Sequence, residues 1–195
     1  MMPKIRMAVA ADAEDILTIY APIVEKTAVS FESDPPSPAE VRKRISETTA
    51  VLPWLVYEKD KMILGYAYAV QHRSRGAYQW SVETSVYIHP DGRRRGIGRA
   101  LYTSLFRILK AQGIFNVFAG ITLPNPGSIA LHQSLGFQPI GTYSHIGFKH
   151  GNWHDVSWWQ LLLGKLPSPP QTPSQPIPIS GIENLTDLLT IGLAE

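Results

Sequence analysis

The sequence predicts an α/β (α+β) domain on a mixed, mostly antiparallel central sheet with one parallel crossover. Three observations point there. Two apolar, partly aromatic runs at 54–58 and 62–70 flank Lys59-Asp60-Lys61, a hairpin signature that sets neighbouring strands antiparallel. The stretch 81–101 reads as strand, glycine-rich turn and helix, the unit that carries a crossover. Helical and strand periodicities otherwise mix without a strict βαβ repeat, and no internal repeat is present.

Taken in order, Ile5, Met7 and Val9 alternate with Lys4, Arg6 and Ala8 as a short opening strand. Asp12, with Asp15 three residues on, is expected to cap a helix with the stripe Ile16, Ile19, Tyr20 and Ile23, which Pro22 should kink or split. Residues 28–36 read as a loop. Ser37-Pro38-Ala39-Glu40 is a capping box with proline in the first helical position, opening a helix that buries Val41, Ile45 and Thr48. After the hairpin comes a polar loop, 71–76, carrying Arg73 and Arg75. Residues 78–88 form a strand with Trp80, Val82, Thr84, Val86 and Ile88 on one face and Ser81, Glu83, Ser85 and Tyr87 on the other. A helix from 96 to about 112 buries Leu101, Leu105, Ile108 and Leu109 and stops at Gly113. Residues 116–122 are strand, 123–128 break the chain, and 129–135 form a short helix ended by Gly136. The last two strands are 137–143 and 156–163.

From Pro167 the composition shifts. Pro167, Pro169, Pro170, Pro173, Pro176 and Pro178 forbid regular structure, and 182–193 has the spacing of a short amphipathic helix. Residues 1–166 are therefore assigned to the domain and 167–195 to a Pro-rich linker and short C-terminal tail. That tail is expected to be mobile, the alternative being docking on a partner subunit or on the domain.

A chain of 195 residues is long enough for a substantial core without metal or disulfide support. Its net charge of +2 indicates no nucleic-acid or polyanion partner. With no cysteine, disulfides, thiolate metal sites and cysteine nucleophiles are all excluded. The first ten residues lack an h-region and no apolar run approaches the ~20 residues of a membrane span, so the expected compartment is cytoplasmic, without a membrane partner.

Backbone N–H groups and positive side chains converge at Arg93-Arg94-Arg95-Gly96-Ile97-Gly98, which suits phosphate or pyrophosphate. The Gly-Lys-Ser/Thr of a triphosphate loop and the third glycine of a dinucleotide fold are both missing. On these residues alone, a solvated turn fits as well as an anion cradle.

The wider pattern resembles the Gcn5-related N-acetyltransferases (GNAT). Arg93-x-x-Gly96-x-Gly98 after an apolar strand is similar to their acetyl-coenzyme A signature. Asn125, Ala130, Leu131 and Leu135-Gly136-Phe137 resemble their second coenzyme A segment. More narrowly, Pro53-Trp54-Leu55-Val56, the run 77–83, Leu101-Tyr102-Thr103, Ala111-Gln112-Gly113 and the run 149–156 resemble phosphinothricin N-acetyltransferases. The resemblance spans about residues 3–165. It implies the GNAT fold, acetyl-coenzyme A as co-substrate without a metal, a homodimer, and an acceptor of the phosphinothricin or methionine sulfoximine type.

It also implies site residues. Glu83 matches the family's catalytic glutamate, the base that an ammonium group needs before it can attack a thioester. The Val86 N–H would polarise the thioester carbonyl. Tyr87, Ile88, Arg93, Arg94, Arg95, Gly96, Ile97, Gly98, Arg99, Ala100 and Asn125 would hold the cofactor. His132 stands where the wider family often has a tyrosine that protonates the departing thiolate, and a buried structural histidine fits the position nearly as well. Arg73, Arg75 and Tyr78 match acceptor-binding positions, where arginine forks suit a carboxylate or phosphinate, and Phe31 would wall the pocket. Other acceptors (a polyamine, an aminoglycoside, a peptide N-terminus) and a non-catalytic coenzyme A sensor are the rival readings. His150, His154 and Asp155 lack a third ligand position and are assigned to structure, and Trp153, Trp158 and Trp159 to sheet core or a subunit interface.

Overall fold

The computed structural model describes residues 2–165 and 168–194, so Pro167 and the boundary expected between 166 and 167 fall outside it. Seven strands, β1 (Lys4–Met7), β2 (Trp54–Lys59), β3 (Met62–Gln71), β4 (Ser81–Ile88), β5 (Asn116–Thr122), β6 (Gln138–Lys149) and β7 (Asn152–Leu162), form one sheet in the order β1-β2-β3-β4-β5-β7-β6. Only β4 and β5 run parallel, as the strand–turn–helix unit requires. The β2–β3 and β6–β7 hairpins each turn through two left-handed residues, Asp60-Lys61 and His150-Gly151, the backbone of type I′ turns.

Both sheet faces are covered. Helices α1 (Ala13–Lys26) and α2 (Pro38–Thr49) bury Ile16, Ile19, Val41 and Ile45 against Trp54, Val56 and Tyr66. On the other face α3 (Ile97–Ala111) buries Leu101, Leu105, Ile108 and Leu109 against Leu55, Ala67, Ala69 and Val82. The period-2 pattern of the strands thus feeds two cores at once. A short α4 (Pro126–Ser134) follows β5.

Several expectations change. Asp12 does not cap α1: it closes a 3-10 turn at 10–12, where its carboxylate takes bonds from Arg6 (2.7 and 2.8 Å) and from the Val9 N–H (2.8 Å). An arginine in reach outcompetes a neutral cap. Helix α1 runs through Pro22 without a break, since Ile19 and Val24 on either side are held in the core. Tyr78 belongs to a 3-10 turn, 76–78, and β4 starts only at Ser81. Pro126, pre-set for a first helical position, starts α4 three residues early. Strands β6 and β7 extend to the His150-Gly151 turn, past a register shift between Tyr143 and Gly147.

The tail docks on the domain. Ile177 exchanges bonds with Gln112, through N–H to backbone O and through Gln112 Nε2 to Ile177 O, both 2.8 Å. Ile179 is buried, and α5 (Leu185–Ala194) packs along α3, with Ser104 Oγ donating to Leu189 O (2.9 Å) and accepting from Gly192 N (3.1 Å).

Candidate active site

The site is made where the sheet comes apart. Strands β4 and β5 pair only from Ser81 to Glu83 against Asn116 to Phe118, then diverge. Ser81 O accepts from His72 N just past the end of β3 (3.1 Å) and His89 N donates to Leu64 O of β3 (3.0 Å), so the odd-numbered residues of β4 address that neighbour. Backbone alternation then turns the N–H groups of Val86 and Ile88 into the gap, with no strand to receive them.

A cleft of about 730 Å³ opens from this gap along the turn and the start of α3. Of the residues expected to hold the cofactor, Val86, Tyr87, Ile88, Arg93, Arg94, Gly96, Ile97, Gly98, Arg99 and Asn125 line it. Arg95 and Ala100 do not. Arg95 is exposed outside the lining, and the Ala100 carbonyl lies against Gly192 of α5. Arg94 and Gly96 take left-handed φ values of 59° and 76°, which curls the turn into a concavity of amides. Gly96 caps α3 without a side chain, so the N–H groups of Ile97, Gly98 and Arg99 have no partner within the helix. A Cβ at Gly98 would sit 3.1 Å from Leu131 Cδ2, so a larger residue would narrow the cleft. These features fit a pyrophosphate and an extended arm running toward Val86.

Asn125 is the cap of α4: its Oδ1 accepts from Ser128 N (3.1 Å). Helix α4 carries His132 into the floor of the gap, beside Thr84, Val86 and Tyr102. The ring is buried; Nδ1 donates to Ser128 O (2.8 Å), and Nε2 lies 3.4 Å from the Tyr102 hydroxyl. Since a carbonyl only accepts, Nδ1 carries the proton and Nε2 the lone pair. Burial lowers the His132 pKa, against the raising effect of Ser128. Burial likewise raises that of Tyr102, opposed by a bond to Thr84, so the phenol keeps its proton.

On the acceptor side, Glu83 is about 30 % exposed and its Oε1 takes two bonds, from His72 Nδ1 (2.8 Å) and Arg73 Nη1 (3.1 Å). Arg73 also donates to His72 O (2.8 Å). The expected arginine fork is therefore divided: Arg73 engages Glu83, and Arg75 stays exposed in the loop. Tyr78 turns its ring edge-on to His72, 6.0 Å away.

Phe31 rests on Gly147 of β6, and a side chain at 147 would collide with its ring. The loop that carries it is clasped by Lys149, whose Nζ donates to Val24 O, Ser30 O and Glu32 O (2.6, 2.8 and 2.8 Å). His154 and Asp155 have structural partners, Lys149 O (3.0 Å) and His145 N (2.7 Å). Among the described residues, no group of three or more His, Cys, Asp or Glu could hold a metal, and no helix is long and apolar enough to cross a membrane. Of the three tryptophans, Trp159 is buried and Trp153 exposed.

Two site residues escaped the sequence reading. His72 carries no local motif, and its partnership with Glu83 exists only across β3 and β4. Tyr102 enters the sequence reading only within the run Leu101-Tyr102-Thr103, with no role of its own, since its polar end matters only once α4 is folded beside it.

Residues 5–158 match the family model described as an acetyltransferase (GNAT) domain. The chain is 40 % identical over 174 residues to the phosphinothricin N-acetyltransferase of Streptomyces viridochromogenes, covering 89 % of this chain and 94 % of that one. It is 35 % identical over 173 residues to the L-methionine sulfoximine/L-methionine sulfone acetyltransferase of Pseudomonas aeruginosa, covering 87 % and 100 %. Among solved structures, the GNAT superfamily phosphinothricin acetyltransferase of Sinorhizobium meliloti in complex with AcCoA superposes with a TM-score of 0.83 at 37 % identity, covering 95 % of this chain and 98 % of that one.

Proposed function

The chain belongs to the acetyltransferase (GNAT) family of acetyl-CoA-dependent acyltransferases, and we propose that its acceptor is the α-amine of a small glutamate-like acid of the phosphinothricin or methionine sulfoximine type. The observation that carries this reading is the parting of β4 and β5 just beyond Glu83, which sets a carboxylate on one side of a gap and unpaired N–H groups on the other. The names of the two curated relatives support the acceptor class, as does the exposed Arg75 beside the site.

Acetyl-coenzyme A, when bound, supplies a thioester activated toward an amine. The amide concavity at 93–99 holds its phosphates, and the Val86 N–H draws charge onto the thioester oxygen. Glu83 accepts the proton that the ammonium group must lose. Tyr102, kept protonated by burial, turns its O–H from the His132 Nε2 lone pair to the departing sulfur and stabilises the thiolate by a hydrogen bond as the C–S bond breaks. Transfer is direct, since the chain has no cysteine to carry an acyl group. We also place two copies side by side through the exposed edge strand β6, which presents Tyr143, Ile146 and Phe148.

A thiol-release assay over a panel of amines tests the acceptor. Phosphinothricin and methionine sulfoximine should give the highest kcat/KM, ahead of polyamines, aminoglycosides and peptides. A preference for any of those overturns the assignment. Acetyl-coenzyme A binding without release by any amine would leave a sensor.

A further inference from the structure

We propose that His72 is the positioning residue of the general base: its Nδ1–H holds Glu83 Oε1 so that Oε2 is the atom presented to the acceptor amine. The proposal rests on the reading of Glu83 as the base.

A glutamate on a strand has three rotatable bonds, and one left exposed would spend little time in the reactive geometry. Here one oxygen is doubly engaged, by His72 at 2.8 Å and by Arg73 at 3.1 Å. Oε2 has no partner among the described residues, which leaves its lone pairs for the incoming ammonium group. The two donors are not equivalent. Arg73 is more than half exposed on a flexible stem. The His72 ring is clamped: it stacks on Phe118 of β5 (centroids 4.6 Å, planes 26° apart) and meets the edges of Tyr78 (6.0 Å) and Trp158 of β7 (6.4 Å). Its own backbone is tied to β4 by His72 N donating to Ser81 O (3.1 Å). Phe118 is also the residue paired with Glu83 across the parallel junction, so base and positioner stand on one frame.

A carboxylate cannot donate, so the hydrogen bond fixes the proton on Nδ1. That selects among replacements. Asparagine places an amide N–H where Nδ1 is, glutamine reaches toward Nε2, and phenylalanine keeps the stacking and loses the bond.

The test is steady-state kinetics on His72→Phe, His72→Asn and His72→Gln, with acetyl-coenzyme A affinity measured separately and Glu83→Gln in parallel. His72→Phe should lower kcat about tenfold with acetyl-coenzyme A affinity unchanged, the scale of one charge-assisted hydrogen bond. His72→Asn should recover most of it and His72→Gln little. Wild-type kcat in His72→Phe, or equal kcat in His72→Asn and His72→Gln, overturns the positioning role. Near-normal turnover in Glu83→Gln instead overturns the base reading on which it rests.

Discussion

At the residue scale the proposed reaction assigns three jobs: charge attraction along 93–99, proton acceptance at Glu83 and a hydrogen bond to the departing sulfur from Tyr102 beside His132. Replacing Glu83 by Gln keeps the shape and removes the basicity, so turnover should fall about 10²-fold or more while coenzyme A still binds, by general-base magnitudes. Single-turnover thiol release with calorimetric binding checks both halves. His132 gives a pH prediction. Burial holds its pKa below the ordinary 6.5 in the folded chain. The unfolded chain therefore binds a proton that the folded chain refuses, and this contribution, full above pH ~6.5, is lost as pH falls toward the folded value. Denaturant midpoints of wild type and His132→Gln should draw together between pH 7 and 5; a constant gap would show that His132 does not titrate on unfolding. Glu83 and the glycine turn were legible because their residue types sit at fixed spacing along one segment. His72 was not, nor was the bond from Arg73 to Glu83, because each is a contact between strand ends that no local spacing announces.

At the element scale the sheet is functional where it is incomplete. Three residue pairs join β4 to β5, and the divergence beyond them creates the cleft. The hairpin of β2 and β3, the span of β5 and the helical face of α3 were readable from periodicity. The extents of β6 and β7 were not, since β6 is largely exposed and carries no buried alternation to read. Its contribution is the clasp on the loop after α1. Lys149→Met removes three donors at once and leaves the carbonyls of Val24, Ser30 and Glu32 without them. At the usual worth of a hydrogen bond to a charged group this should cost about 2 kcal/mol or more. The same variant should raise the acceptor KM, because the loop sets Phe31. Gly147→Val should raise that KM with a smaller loss of stability, by displacing the ring itself. Urea unfolding and acceptor titrations distinguish the two.

At the scale of the whole molecule the tail packs along the helix whose start lines the cleft. Gly98 and Tyr102 lie one turn apart on the cleft side of α3, and Ala100 and Ser104 lie one turn apart on the opposite side. Helix α5 grips that second side so closely that a Cβ at Gly192 would collide with Ala100 O. Upstream, Gln112 Nε2 ties Val51 O to Ile177 O (both 2.8 Å), and Trp80 Nε1 donates to Ser174 O (2.8 Å). The prolines had argued for a free linker, which is sound for hydrogen bonding within the segment but blind to a partner outside it. Ending the chain at residue 176 removes Ile177, Ile179 and α5 and leaves the far side of α3 in water. The expected cost is about 3 kcal/mol, the range for loss of buried apolar groups with their hydrogen bonds, and so a melting temperature lower by about 10 °C. Gly192→Leu should reproduce the share due to α5 alone. Neither change removes a lining residue of the cleft, so the rise in melting temperature on adding coenzyme A should survive in both. Loss of that rise would mean that the tail shapes the cleft, and an unchanged melting temperature in the shortened chain would mean that it braces nothing.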